Sequence, residues 1–233
     1  MPIADEKETE SFKRATAAAI KAIGHCRELE VAFGQGSDSV TPQRVSLPEL
    51  SDKLDSTDRA CARGRADAAA VRLRYHDPSI NAAHAPLQSQ AAALMATLEQ
   101  SRCEALGAQR MSGIEKNIAA FLTEQCRQKH YHTAKTQAEV PLADMLHLLA
   151  HEAFCDTPLP EQAEHAVSLW RPLIGERLTP HFKKLKKLLH DQKAFTEEVN
   201  KLLVTLELAE RPKKKKKDDT SETQEDTPNE APS

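Results

Sequence analysis

From Phe12 to Leu206 apolar residues return at every third or fourth position over most of the chain, the period of helices that each bury one face. Phe12, Thr16, Ala19, Ile20 and Ile23 trace the first such face, with Ser11 placed to cap it and Gly24 to stop it. Ala62, Ala66, Ala69 and Leu73 trace a second, beginning near Ser56 and limited by Pro78; the alternation of Val71, Leu73 and Tyr75 leaves an extended end open. Pro86 suits a first helical turn, where its missing N–H has no partner to lose, and Leu87, Ala91, Leu94 and Leu98 continue from it. Gly107 and Gly113 bracket a break before Ile114, Ile118, Phe121 and Leu122. Beyond a polar loop from His130 to Ala138, Leu142, Met145, Leu146, Leu149 and Ala153 mark a further helix. Pro158 and Pro160 interrupt the pattern, which Ala163, Val167, Trp170 and Ile174 restore. Thr179 followed by Pro180 reads as a fresh helix start. The last helix then carries Phe182, Leu185, Leu189, Phe195, Val199, Leu202 and Leu206 at nearly heptad spacing, which suits packing inside the domain or against a helical partner.

One stretch breaks the helical period. Leu29, Val31 and Phe33 alternate with polar or small residues, and Val45 and Leu47 do so across a loop rich in Gly, Ser and Asp, which predicts a small β-hairpin. The expected fold class is therefore mainly α: an irregular multi-helix domain of about six or seven helices with that hairpin as a minor element. Residues 1–10 are expected to be a flexible N-terminus, 11–208 the helical domain, and 209–233 a disordered charged tail or the start of an acidic linker. In that tail Lys213 to Lys217 are followed by Asp218, Asp219, Glu222, Glu225, Asp226 and Glu230.

Bulk properties narrow the function classes. At 233 residues, 39% of them hydrophobic, the chain is long enough to bury a core without staples. No run approaches the roughly 20 apolar residues that cross a bilayer, and MPIADEKETE lacks the basic and apolar segments of a signal peptide. Cys26, Cys61, Cys103, Cys126 and Cys155 are widely spaced and never form CxxC, so reduced thiols in a cytosolic protein are expected. A net charge of -3 provides no general attraction to nucleic acid.

The candidate chemistry is sparse. Asp144, His147 and His151 in DMLHLLAHE share one helix face at offsets of three and four, where a divalent ion such as cobalt or zinc would find a carboxylate and two imidazoles. The likeness to HExxH is superficial, because Glu152 follows the second histidine, and Met145, Leu146 and Leu149 already claim the buried side; a structural role is preferred. His130 and His132 read as an exposed loop, and His25 beside Cys26 as a helix end. Among seven glycines there is no GxxxxGK[ST], and Gly34-Gln35-Gly36 is too short to cradle phosphates. Glu99, Arg102 and Glu104 suit short-range ion pairs and helix-end contacts. Two basic clusters are candidates for contact with a partner: Arg59, Arg63, Arg65, Arg72 and Arg74, of which Arg63 and Arg72 are singled out, and HFKKLKKLL, of which Lys183 and Lys187 are. No catalytic, cofactor-binding or metal site is assigned to any residue.

Five stretches carry a family likeness: FKRATAAAIKAIG from Phe12, ELEVAFG from Glu28, RGRADAAAVRLRYHDPSINAAHAP from Arg63, LEQSRCEALGAQRMSGIEKNIAA from Leu98 and LPEQAEHAVSLWRPLI from Leu159. In this order they resemble the N-terminal region of the CobT family, subunits of an aerobic cobaltochelatase. The resemblance implies a role in cobalamin biosynthesis, in which a large subunit holds the corrin and inserts Co²⁺ and an AAA+ ATPase hydrolyses ATP with Mg²⁺. The CobT-type protein couples the two, so both subunits are the expected partners, with no membrane and no nucleic acid. Family members continue through an acidic linker into a von Willebrand A-like domain with a DxSxS ion site; neither is present here, so an N-terminal part of such a protein is expected, with no Mg²⁺ site transferred to it. Two other readings stay open: a helical interaction adaptor unrelated to chelation, and a nucleic-acid-binding module.

Overall fold

The computed structural model describes residues 3–36, 38–50 and 54–209. Most of the tail expected over 209–233 thus lies outside the described residues, as do Met1 and Pro2.

Eight α-helices follow the apolar period among the described residues: α1 (Ile3–Gly24), α2 (Ser56–Tyr75), α3 (Pro78–His84), α4 (Ser89–Arg110), α5 (Ser112–Gln128), α6 (Leu142–Cys155), α7 (Glu161–Lys187) and α8 (Gln192–Thr205). Strands β1 (Glu30–Gly34), β2 (Ser39–Val40) and β3 (Arg44–Pro48) lie between α1 and α2. The mainly helical class holds, with a small sheet where the hairpin was expected; its antiparallel hairpin is formed by β2 and β3, not by the two stretches read as its arms, 29–33 and 45–47. The sheet is larger than a hairpin: β1 joins the other side of β3 in parallel, pairing Val31 with Val45 and Phe33 with Leu47.

Three apolar clusters explain the packing. Ile20 of α1, Leu29, Val45 and Leu47 from the sheet region, and Ala66, Ala69 and Ala70 of α2 form one. Val71 of α2, Cys103 of α4, and Ile114, Ile118 and Leu122 of α5 form the second. The largest gathers Leu94, Met95 and Leu98 of α4 with apolar residues of α6, α7 and α8, including Phe154, whose ring lies edge-on to Phe195 at 5.9 Å. Helix α2 thereby contributes to the first two clusters and α4 to the last two.

Close approach of α2 and α5 demands glycine at position 64. A Cβ built there would stand 2.1 Å from the Asn117 carbonyl oxygen and 2.6 Å from Phe121 Cβ, distances that no rotamer change relieves because the first neighbour is backbone. At Gly107 a Cβ would meet Val71 Cγ1 at 2.4 Å, which fixes the approach of α4 to α2.

Several boundaries differ from those read in the sequence. Helix α1 begins at Ile3, before Ser11, and its left-handed terminal residue is His25 (φ 57°), not Gly24. Val71, Leu73 and Tyr75 are helical throughout. Pro78 opens α3 with Asp77 as its cap. Helix α4 starts at Ser89, which leaves Pro86 outside it and Leu87 fully exposed. Pro180 does not start a helix, since α7 runs unbroken through Pro172 and Pro180. Each interior proline costs about 3 kcal/mol. Against that, α7 buries Ala163, Ala166, Val167, Ile174, Leu178, Phe182 and Leu185, and each large side chain returns about 1.5–3 kcal/mol. The real break falls after Lys187, where Asp191 accepts the Ala194 N–H at 3.0 Å and caps α8.

Candidate functional site

Several of the polar residues with the least access to solvent lie on α4. Glu99, Arg102 and Glu104 are 2%, 2% and 3% exposed, and burial at that level is costly for a charge unless partners surround it. Partners do. Arg102 makes a two-pronged pair with Glu99, Nε to Oε2 and Nη2 to Oε1, both at 2.8 Å. Its Nη1 donates to the Leu189 carbonyl at 2.9 Å and its Nη2 to the Tyr75 carbonyl at 2.6 Å, so one guanidinium joins the end of α2 to the turn before α8. On the other side of Glu99 stands His76 Nδ1 at 2.9 Å. Gln192 closes the group, accepting from the Asp77 N–H at 2.8 Å and from Arg102 Nη2 at 3.2 Å, and donating to the Asp77 carbonyl at 2.8 Å. Burial pushes the Glu99 carboxyl up, but the hydrogen bonds and charges of Arg102 and His76 outweigh it and hold the group below the ordinary carboxylate value.

A second group lies about one turn further along α4. Glu104 Oε2 meets His147 Nε2 of α6 at 2.7 Å, and its Oε1 accepts from Gln100 Nε2 at 2.9 Å. Gln100 also donates to the Ala68 carbonyl of α2 at 3.0 Å, linking three helices. Burial opposes ionisation of both partners, yet the mutual attraction prevails: Glu104 is held low and His147 is raised, which makes them an internal ion pair. His151, one turn on, has its pKa lowered, first by burial, with the His147 charge adding to it. A third carboxylate, Glu198 of α8, takes His181 Nδ1 at 2.8 Å and Lys201 Nζ at 3.1 Å.

The residues singled out in the sequence separate into distinct surroundings. Asp144, His147 and His151 do share a face of α6, but each has its own partner: Asp144 accepts from Lys129 Nζ at 2.7 Å and from the Tyr131 hydroxyl, His147 holds Glu104, and His151 Nδ1 lies 3.8 Å from Cys155 Sγ. Among the described residues no group of three or more His, Cys, Asp or Glu is placed to hold a metal ion. The five cysteines are unpaired, and burial raises the thiol pKa values of Cys61, Cys103, Cys126 and Cys155, that of Cys126 to about 11. Arg63 is exposed, its guanidinium 5.4 Å from the centre of the Phe12 ring. Arg72 is half-buried and reaches Gln100 Oε1 at 3.4 Å. Lys183 and Lys187 are exposed on α7, whereas their neighbours Lys184 and Lys186 face Glu198 and Asp156. His76, Gln192, His181 and Glu198 were not singled out in the sequence. The pair His76-Asp77 before Pro78 is a visible signal in retrospect, while Gln192 becomes important only through a fold that brings it to Asp77.

These features define a mainly helical scaffold whose interior charges act as ties between helices. Residues 6–233 match the family described as cobalamin biosynthesis protein CobT, and the chain belongs to that family. No solved structure gives a significant match. No helix among the described residues is long and apolar enough to cross a membrane.

Proposed function

We propose that the chain is a non-catalytic coupling component of the ATP-dependent cobaltochelatase that inserts Co²⁺ into hydrogenobyrinic acid a,c-diamide during aerobic cobalamin biosynthesis. The observation that carries the reading is the family match over residues 6–233. The internal ties fit the task, since a body that transmits motion between an ATPase and a metal-inserting subunit must hold its helices in fixed relation. In this scheme the AAA+ ATPase binds ATP and Mg²⁺, the large subunit binds corrin and cobalt as substrates, and this chain contacts both. The exposed Arg63, Lys183 and Lys187 and the half-buried Arg72 are the contacts proposed.

The test is a reconstituted chelation assay containing the large subunit and the ATPase, with and without this chain, alongside a version extended by a von Willebrand A-like domain. Cobalt insertion should depend on the addition of one or the other. If neither raises it above the two-subunit background, the chelatase assignment falls. Reversing Lys183 and Lys187 to Glu should weaken capture of the ATPase, and unchanged capture would remove those two residues from the interface.

A further inference from the structure

The buried group around Arg102 forms the back of an open cleft of about 570 Å³. Its rim comes from three helix ends: Arg74 from α2, Arg110 from α4 and Lys193 from α8. Among the described residues none of these three cations has a carboxylate partner; Arg74 spends its Nη1 on the Ile23 carbonyl and on His25. Among the described residues Asp191 is the only carboxylate lining the cleft, and its Oδ1 already caps α8. Arg102 adds no net charge, being neutralised by Glu99 behind it. The wall is therefore cationic, and it is also rigid, because Arg102 and Gln192 are fixed by the hydrogen bonds that join α2, α4 and α8.

Two further observations narrow what such a wall would accept. Tyr75, Ile80 and Leu106 give the lining an apolar portion, against which a bare inorganic anion would gain nothing. The volume is in the range of small-molecule sites. Guanidinium forks on separate helices favour an anion with two or more planar acceptor groups held apart.

We infer that the cleft between the ends of α2 and α4 and the start of α8 binds a small organic polycarboxylate, an anion carrying two or more carboxylates on an apolar framework. The inference stands independently of the chelatase reading.

Calorimetric titration at fixed ionic strength with benzene-1,3,5-tricarboxylate, benzoate and inorganic tripolyphosphate tests it. The tricarboxylate should bind one to one and at least about tenfold tighter than benzoate, since only it can engage a second charged donor. Arg110→Gln and Lys193→Gln should each weaken it about tenfold; both side chains are exposed, so the thermal midpoints should not move. Replacing Lys135, an exposed residue of the loop before α6 that does not line the cleft, with Gln should leave affinity unchanged. Tripolyphosphate binding as tightly as the tricarboxylate would overturn the assignment of ligand class. Equal losses from the cleft and the control substitutions, or none from the two cleft substitutions, would overturn the site.

Discussion

Arg102 is the residue on which most of the interior polarity depends. Shortening it to Met leaves Glu99 buried with only His76 to face it and frees the carbonyls of Tyr75 and Leu189, so Arg102→Met should cost about 3–5 kcal/mol. Chemical denaturation would measure the loss, and the double change Glu99→Gln with Arg102→Met should recover part of it, because the orphaned charge is gone. The pair of Glu104 and His147 predicts a pH dependence. Glu104 sits below its ordinary value of 4.5, so its contribution is present above that pH and is lost as acid protonates it. His147 sits above its ordinary 6.5, so its contribution is full below that pH and fades as pH rises through the raised value. His151 works in the opposite sense, disfavouring the fold as pH drops below 6.5. In thermal melts across pH, Glu104→Gln should flatten the acid limb and His147→Gln the alkaline one; melts parallel to wild type on both limbs would refute the pairing.

Helix contacts set the second group of expectations, and glycine separates them. Gly64→Ala drives a Cβ into the Asn117 carbonyl and should destabilise by about 2 kcal/mol or more as α2 and α5 are forced apart. Gly175, inside α7, has among the described residues only Arg171 Cβ at 3.9 Å, so Gly175→Ala should stabilise by about 0.5–1 kcal/mol through helix propensity alone. Opposite signs in the same denaturation assay are expected. Most helices were legible because a single apolar face runs along each, as in Ile114, Ile118, Phe121 and Leu122. Where the reading failed, tertiary burial had overridden a local signal: Thr179 and Pro180 look like a start, yet Leu178 and Phe182 on either side are both buried, and the helix continues. The parallel pairing of β1 with β3 was hidden for another reason, since alternation reports which face of a strand is covered and not which neighbour it has. The charges on α4 could be recognised as ion-pair formers from their spacing. Their depth could not, because the residues that cover them, Leu189 and Gln192, lie about ninety positions further on.

Across the whole molecule, three groups of basic residues predict different behaviour. Arg102 is consumed internally, the rim cations of the cleft have no carboxylate partner among the described residues, and Lys183 and Lys187 stand exposed on α7. Changes at the last pair should be silent in stability and visible only when a partner is present. The tie between Arg102 and the stretch from Leu189 to Gln192 has one more consequence. It clasps the final helix to the middle of the chain, so a polypeptide cleaved by protease just before α8 should not survive as a folded remnant: the guanidinium and its carboxylate would be left opening onto water, and the whole helical body should come apart in one step instead of shedding a terminal helix.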